Sequence, residues 1–230
     1  MTRPARTGVM GGTFDPVHLG HLAAAAAAAD ALALDGVLFV PSNHPPHRAA
    51  APRVSGYQRF ALVALAIAAD PRFAASDLEL SRPGPSFTAD TLRRLHGLGY
   101  APSQLFVILG SDAFAEIATW HEYPAVLDLA GFAVVARPGS DIALLRAQVP
   151  ETAPRLLPPA GAGTRAAVDP KPGQIALIAA QTPDVSSTMI RARLERGLGL
   201  DGLVPPAVEA HIRRHGLYLP DPEPPGRQLA

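Results

Sequence analysis

Apolar residues fall along this chain of 230 residues in two alternating rhythms. Short runs of strand length, rich in Val, Ile, Leu and Phe, stand at 7–10, 37–40, 104–109, 132–136 and 174–179. Weaker ones stand at 73–76 and 78–80. Between them lie longer stretches with helical character. Residues 19–34 are Ala/Leu-rich with almost no breaker, and 56–69 carry Phe60, Val63, Leu65 and Ile67 before closing at Asp70-Pro71. Residues 205–215 place Val208 and Ile212 four apart and stop at Gly216. Such spacing predicts helices. Two further helices are expected, one opening near Thr88, a good N-cap residue, and one running from 187 to Gly197. Strand alternating with helix argues for an α/β fold with a doubly wound parallel sheet and right-handed crossovers. The unbroken apolar run at 104–109 is expected at its centre, covered on both faces.

Composition narrows the class. With 48% hydrophobic residues the chain has ample material for a core. A single domain over 1–219 is expected, with 150–173, rich in Pro, Gly and Ala and without a period, as a surface loop or insertion. A polar, Pro-rich tail at 220–230 is expected to be disordered. Lys plus Arg and Asp plus Glu are both 20, so no global field attracts nucleic acid or an anionic membrane. The absence of cysteine excludes disulfides, thiolate catalysis and Cys–zinc sites. The basic start lacks an apolar core and cleavage site, and the alanine run at 23–29 is too short to span a bilayer. A cytoplasmic protein without nucleic-acid or membrane partners is expected; nothing in the pattern sets its subunit number.

The chemistry concentrates at Gly11-Gly12-Thr13-Phe14-Asp15-Pro16-Val17-His18-Leu19-Gly20-His21, where the first strand hands over to the first helix. Two glycines let backbone approach a ligand closely. The free N–H groups and positive dipole end of the following helix suit an anion. His18 and His21, three apart, are expected on one helix face above those amides. A zinc pair is the competing reading, but no HExxH-type third ligand follows.

Further candidates lie where later strands end. His47 and Arg48 project from a proline-stiffened loop after the second strand. Gly110 closes the central strand and allows close approach, and Asp112 is placed either to accept from ribose hydroxyls or merely to cap the next helix. Ser187 and Thr188 at a helix N-terminus, with Arg191 one turn on, make a second anion site, because capping accounts for one hydroxyl only.

The eleven-residue string resembles the GGTFDPxHxGH signature of nucleotidyltransferases with the HxGH motif. Class I aminoacyl-tRNA synthetases carry a related HIGH signature, but 230 residues leave no room for a tRNA-binding body. More narrowly, Pro45-Pro46-His47-Arg48 resembles the PPHK/R loop of nicotinate-mononucleotide adenylyltransferases. The segment 86–92 resembles their SYTxxTL, 119–123 their W-x-E-Y region, and 185–191 their ISSTxIR, with Val185 for the usual Ile. The likeness extends to Leu219, apart from 150–173.

That resemblance implies a Rossmann-like nucleotidyltransferase fold and adenylyl transfer from ATP to nicotinate mononucleotide. It places Gly12, Thr13, Phe14, Gly110, Asp112, Ser187 and Thr188 at ATP. His18, His21 and Arg191 become the groups that stabilise phosphate charge, and Thr88 and Trp120 select the pyridine. His47 and Arg48 would guide the acceptor's phosphate, and Arg137 would lie near adenine. Mg²⁺ is expected through the ATP phosphates rather than through a protein metal site. Pantetheine-phosphate adenylyltransferase shares the HxGH and Ser-Ser features but lacks the PPHR and Trp-containing segments. A preference for nicotinamide and a nucleotide-binding regulator without catalysis are the remaining alternatives.

Overall fold

Residues 5–46, 50–136, 149–157 and 169–219 are described by a computed structural model. Six strands, β1 (Thr7–Gly12), β2 (Gly36–Pro41), β3 (Phe73–Ala75), β4 (Leu105–Gly110), β5 (Gly131–Ala136) and β6 (Ile175–Ala179), form one sheet in the order β3-β2-β1-β4-β5-β6. Every neighbouring pair is parallel. Helices α1 (Leu19–Ala31), α2 (Gly56–Ile67), α3 (Thr88–Gly97), α4 (Ser111–Ala115), α5 (Ser187–Glu195) and α6 (Pro206–Arg214) accompany it.

Side chains alternate across a strand, so each strand supplies two cores. Leu105, Val107 and Leu109 of β4 face the core that takes Leu92 and Leu95 of α3, whereas Phe106 and Ile108 face the one that takes α1, α2, α5 and α6. β5 divides likewise, Phe132 and Val134 against Ala133 and Val135. Burial on both faces is why these strands read as continuous apolar runs. α1 buries Ala25, Ala28 and Ala29; side chains this small let its backbone lie close over the sheet.

Several expectations change. Residues 78–80 form no strand: Ser81 N–H donates to the Asp77 carbonyl at 3.0 Å, closing a turn that buries Leu78 and Leu80 and turns Glu79 toward the interior. Thr88 is the first residue of α3 rather than its cap, a place taken by Phe87. Within the stretch expected as featureless, Pro150–Arg155 forms a 3₁₀ helix that fully buries Thr152, and Leu156 bridges to Ile175. His47, Arg48, Arg137 and the tail at 220–230 lie outside the described residues. Among the described residues no helix is long and apolar enough to cross a membrane.

The strand order reverses between β1 and β4. β1 continues through α1 toward β2, while β4 continues through α4 toward β5, so the connections leave in opposite directions and open a crevice beyond the strands' C-terminal ends. Open α/β sheets bind ligands at this switch point.

Candidate active site

Two cavities occupy the crevice, one over each face of the sheet's edge. The larger, about 320 Å³, is lined by Met10 and Val135 from the face that packs α1, together with His18, His21, Gly110, Asp112, Ser187 and Thr188. The smaller, about 170 Å³, is lined by Val9, Val107 and Leu109 from the opposite face, with Gly12, Thr13, Glu79, Ser86, Thr88 and Trp120. Ala113 borders both, so they adjoin at the start of α4.

His18 does not sit on the helix face beside His21. It is the extended N-cap of α1 (φ −148°, ψ 170°), and its ring stacks on that of His21 with centroids 3.7 Å apart and planes 27° apart. Gly20 makes this possible, because a Cβ there would stand 3.1 Å from His18 Nδ1. His21 Nδ1 accepts the His18 backbone N–H at 3.2 Å. An accepting Nδ1 carries no proton, so the neutral ring holds its proton on Nε2, the tautomer suited to donation. Phe14 supports the pair from behind. It turns the chain at φ +49°, lies 2% exposed in the core and meets the His21 ring edge-on at 5.0 Å. Its side chain lines neither cavity.

Gly12 and Thr13 line the smaller cavity rather than the one with the histidines. Gly110 is the N-cap of α4, and a Cβ on it would meet no protein atom within 4 Å, because that position opens into the larger cavity. Asp112 follows in the first turn of α4 and borders the same space.

The second expected anion site is built differently from its sequence reading. Ser186, not Ser187, caps α5, its hydroxyl accepting from Met189 N at 3.1 Å. Ser187 Oγ donates to the Pro16 carbonyl at 2.9 Å, and Arg191 Nη1 donates to the Asp15 carbonyl at 2.7 Å. Two bonds thus tie α5 to the loop after β1. Arg191 Nη2 also reaches Thr188 Oγ1 at 3.2 Å. Ser187 and Thr188 line the larger cavity; the Arg191 side chain stands beside it, largely covered, with Asp15 Oδ2 at 4.0 Å.

Around the smaller cavity two loops are zipped together. Asn43 N–H donates to Ser86 Oγ at 2.8 Å, Ser86 N–H donates to the His44 carbonyl at 2.9 Å, and His44 bridges Pro85. Trp120 is tied to the start of α3 through its neighbours: His121 stacks on Phe87 at 4.2 Å, and Arg93 grips the Glu122 carboxylate with its two terminal guanidinium nitrogens. Thr88 and Trp120 therefore meet in one cavity wall although they are far apart in sequence.

Two charged residues not anticipated from the motifs belong to this architecture. Glu79 accepts from Thr91 Oγ1 at 2.5 Å in the wall of the smaller cavity, and burial pushes its carboxyl above the usual range despite that bond, a second one to Ser86 and the nearby Arg59 charge. Arg59 is 1% exposed. Its position carried a signal: it falls on the buried stripe of α2, three, four and seven residues before Leu62, Val63 and Ala66. A charge on an apolar stripe requires a buried partner.

With this geometry in hand, comparison with known proteins is informative. The cytidylyltransferase-like family model matches residues 9–193. A protein of Thermus thermophilus named "Probable nicotinate-nucleotide adenylyltransferase" is 41% identical over 213 residues, covering 93% of this chain and 99% of its own. One of the same name from Chromobacterium violaceum is 43% identical over 216 residues, with 93% and 99% coverage. Among solved structures, the Plasmodium falciparum nicotinic acid mononucleotide adenylyltransferase complexed with APC aligns with a TM-score of 0.68 at 16% identity, covering 93% of this chain and 97% of that one. The structural likeness, at that identity, speaks for the fold; the sequence likeness, spanning both cavities and nearly the whole of each relative, makes this chain a member of the nicotinate-nucleotide adenylyltransferase family of cytidylyltransferase-like nucleotidyltransferases.

Proposed function

We propose that this protein transfers the adenylyl group of ATP to nicotinate mononucleotide, giving nicotinate adenine dinucleotide and pyrophosphate. The observation that carries this reading is the pair of adjoining cavities, one lined by imidazoles, hydroxyls and a helix N-terminus, the other by an indole and the first turn of α3. ATP phosphates suit the first, a flat pyridine ring the second. A solved relative in the same fold is complexed with NaAD.

The reaction is an in-line displacement. A phosphate oxygen of the mononucleotide bonds to the α-phosphorus of ATP, the bond from that phosphorus to the bridging oxygen breaks, and pyrophosphate leaves with the electron pair. The attacking oxygen is already ionised, so no general base is required. What the protein must do is hold two anions together and stabilise the charge that moves onto the bridging oxygen.

His21 Nε2–H and the His18 ring donate toward the phosphates, and Ser187, Thr188 and Arg191 hold the departing pyrophosphate. Gly12 and Thr13 contribute backbone to ATP from the wall of the smaller cavity, where the acceptor meets it, and Phe14 serves the ATP site by bracing His21, while Gly110 admits the nucleotide and Asp112 accepts from ribose hydroxyls. Thr88 and the amides beside it read the nicotinate carboxylate, and Trp120 packs on the ring. His47 and Arg48 guide the acceptor phosphate. Among the described residues no three His, Asp or Glu side chains converge to cage an ion. A donor set of imidazole, hydroxyl and guanidinium suits an ion carried in on the phosphates. Mg²⁺ bound that way neutralises part of the triphosphate charge.

Pyrophosphate release from ATP and Mg²⁺, with nicotinate mononucleotide, nicotinamide mononucleotide and phosphopantetheine as parallel acceptors, tests the proposal. Turnover with the nicotinate acceptor, strongly disfavoured with the amide because donors arranged for a carboxylate would be left unpaired, is expected. Preference for either other acceptor overturns the substrate; ATP binding without turnover of any overturns the activity.

A further inference from the structure

The reaction requires two reactants bound over opposite faces of the sheet to meet in line, so something must set the spacing between the segments that hold them. We infer that Arg59 does this: its buried guanidinium clamps the loop after β1 to the loop after β2 and thereby fixes the segment that leads to the stacked histidines against the wall of the smaller cavity. The inference rests on the adenylyl-transfer reading, and it concerns a positioning residue that touches neither substrate.

The geometry is a fork on two carbonyls. Arg59 Nη1 donates to the Thr13 carbonyl at 2.6 Å and Nη2 to the Ser42 carbonyl at 2.7 Å, while Nε reaches the Val54 carbonyl at 3.4 Å. Thr13 lies in the segment that leads into the stacked histidines. Ser42 opens the loop that is zipped to Ser86 and the start of α3. One rigid, planar group therefore ties the segment that leads to the histidines to the loop zipped to α3, in the wall of the smaller cavity that both Thr13 and Ser42 line, at a point where both bonds are removed from water. Such bonds are strong because the donor is charged. They are also directional, so the guanidinium dictates the separation of the two carbonyls rather than merely tolerating it.

The surroundings keep the cation in place. Burial lowers the Arg59 pKa, and the negative charges of Asp15 and Glu79, with the Tyr218 hydroxyl near, work in the opposite direction. Asp15 belongs to the loop after β1 and Glu79 to the wall of the smaller cavity, so the charges that offset burial of Arg59 come from the surroundings of the segments it bonds.

The test compares Arg59→Lys and Arg59→Gln with the wild-type chain. Lysine keeps the charge but is a single point donor, and glutamine can serve one carbonyl; neither reproduces the fork. Displacement of a reacting group by about 1 Å costs on the order of 10²-fold in rate. We expect kcat to fall by about that factor in both variants, while dissociation constants for ATP and for nicotinate mononucleotide, each measured alone, change less than about threefold. Hydrogen exchange should rise together in 11–15 and 41–46 while β4 stays protected, a readout independent of which acceptor is used. If the wild type turns over none of the acceptors, the functional reading fails, and the exchange experiment still decides whether Arg59 clamps the two loops. Unchanged kcat with lowered stability, weakened binding of one substrate with kcat intact, exchange confined to α2, or failure of both variants to fold would overturn the inference in favour of a purely architectural arginine.

Discussion

Replacing His21 separates two jobs that one ring performs. Its Nδ1 accepts the His18 backbone N–H at 3.2 Å, which shapes the start of α1, and its Nε2 is the donor proposed for the ATP phosphates. Alanine removes both. It leaves the His18 amide without that acceptor, at about 1–3 kcal/mol, and deletes the edge-on contact with Phe14, about 0.5–1.5 kcal/mol. The combined loss of roughly 2–4 kcal/mol lowers Tm by about 5–15 °C for a domain of this size. Asparagine places its Oδ1 where Nδ1 stood, so His21→Asn keeps the helix-start bond and recovers more than half of that deficit, while still lacking a donor at the Nε2 position. In kcat the two variants should agree, each losing about 10²–10³-fold, the 2.7–4 kcal/mol expected of one preorganised donor to developing charge. Thermal unfolding followed by circular dichroism, with steady-state pyrophosphate release at saturating substrates, measures both quantities. If His21→Asn retained more than a fifth of wild-type kcat, the Nε2 donor role would be refuted; equal Tm values for the two variants would refute the bond at the helix start.

Other substitutions probe the remaining parts. Gly110→Ala should fold well, since φ −78° and ψ 161° suit any residue and the added Cβ meets no protein atom within 4 Å. The unfolded-state gain of about 0.4–1 kcal/mol is offset by the preference for Gly over Ala at an N-cap, so stability changes little while the KM for ATP rises because the methyl enters the nucleotide's space; an unchanged KM would place ATP elsewhere. Trp120→Ala should raise the KM for nicotinate mononucleotide far more than that for ATP, and equal effects on both would make Trp120 a packing residue. Glu79→Gln tests the buried carboxyl through its pH dependence. Because the folded-state pKa is raised, chiefly by burial, the folded chain holds this proton more tightly than the unfolded one. The stabilising contribution is present below the unfolded pKa and is lost as pH rises through the folded one. The variant should therefore match the wild type near pH 4 and exceed it near pH 8 in Tm; a difference that does not change with pH would contradict that assignment.

Strands and most helices were legible because their determinants are local. β4 and β5 are buried on both faces, so nothing but an apolar run can occupy them, and the run is visible. The histidine pair was legible as a motif but not as a geometry. That His18 leaves the helix face and lies flat on His21 depends on Gly20 making room and on Phe14 standing behind, contacts that motif spacing alone does not encode. Residues 78–80 alternate like a strand, yet their apolar positions are buried by a turn, since two buried leucines flanking one polar residue fit either form. Ser187 illustrates the limit for hydroxyls. Its place at the start of α5 points to an anion, but not to the second partner the structure gives its hydroxyl, a carbonyl from the other end of the chain.

The same long-range bonds explain how a site assembled from both faces of a sheet can hold a reaction geometry. The larger cavity rests on the core beneath α1 and α5, the smaller on the core beneath α3, and these two cores are separated by the sheet itself. The shared strands place both cavities at their C-terminal ends, and the loops that complete the walls are placed further by bonds of their own. Among the described residues, directed bonds cross between the loops: Ser42 N–H to the Gly12 carbonyl at 2.9 Å, Arg53 N–H to Asp15 Oδ2 at 2.9 Å, and the Arg59 fork on Thr13 and Ser42. On the opposite flank Ser187 and Arg191 fasten α5 to the carbonyls of Pro16 and Asp15. The loop after β1 is held from both sides in this way, by α2 through Arg59 and by α5 through Arg191. Substitutions in the cores should therefore act mainly on stability, with nearly constant ratios of kcat to KM among folded variants. Substitutions in the cross-links should act mainly on kcat, because they alter the separation proposed for the reacting phosphates.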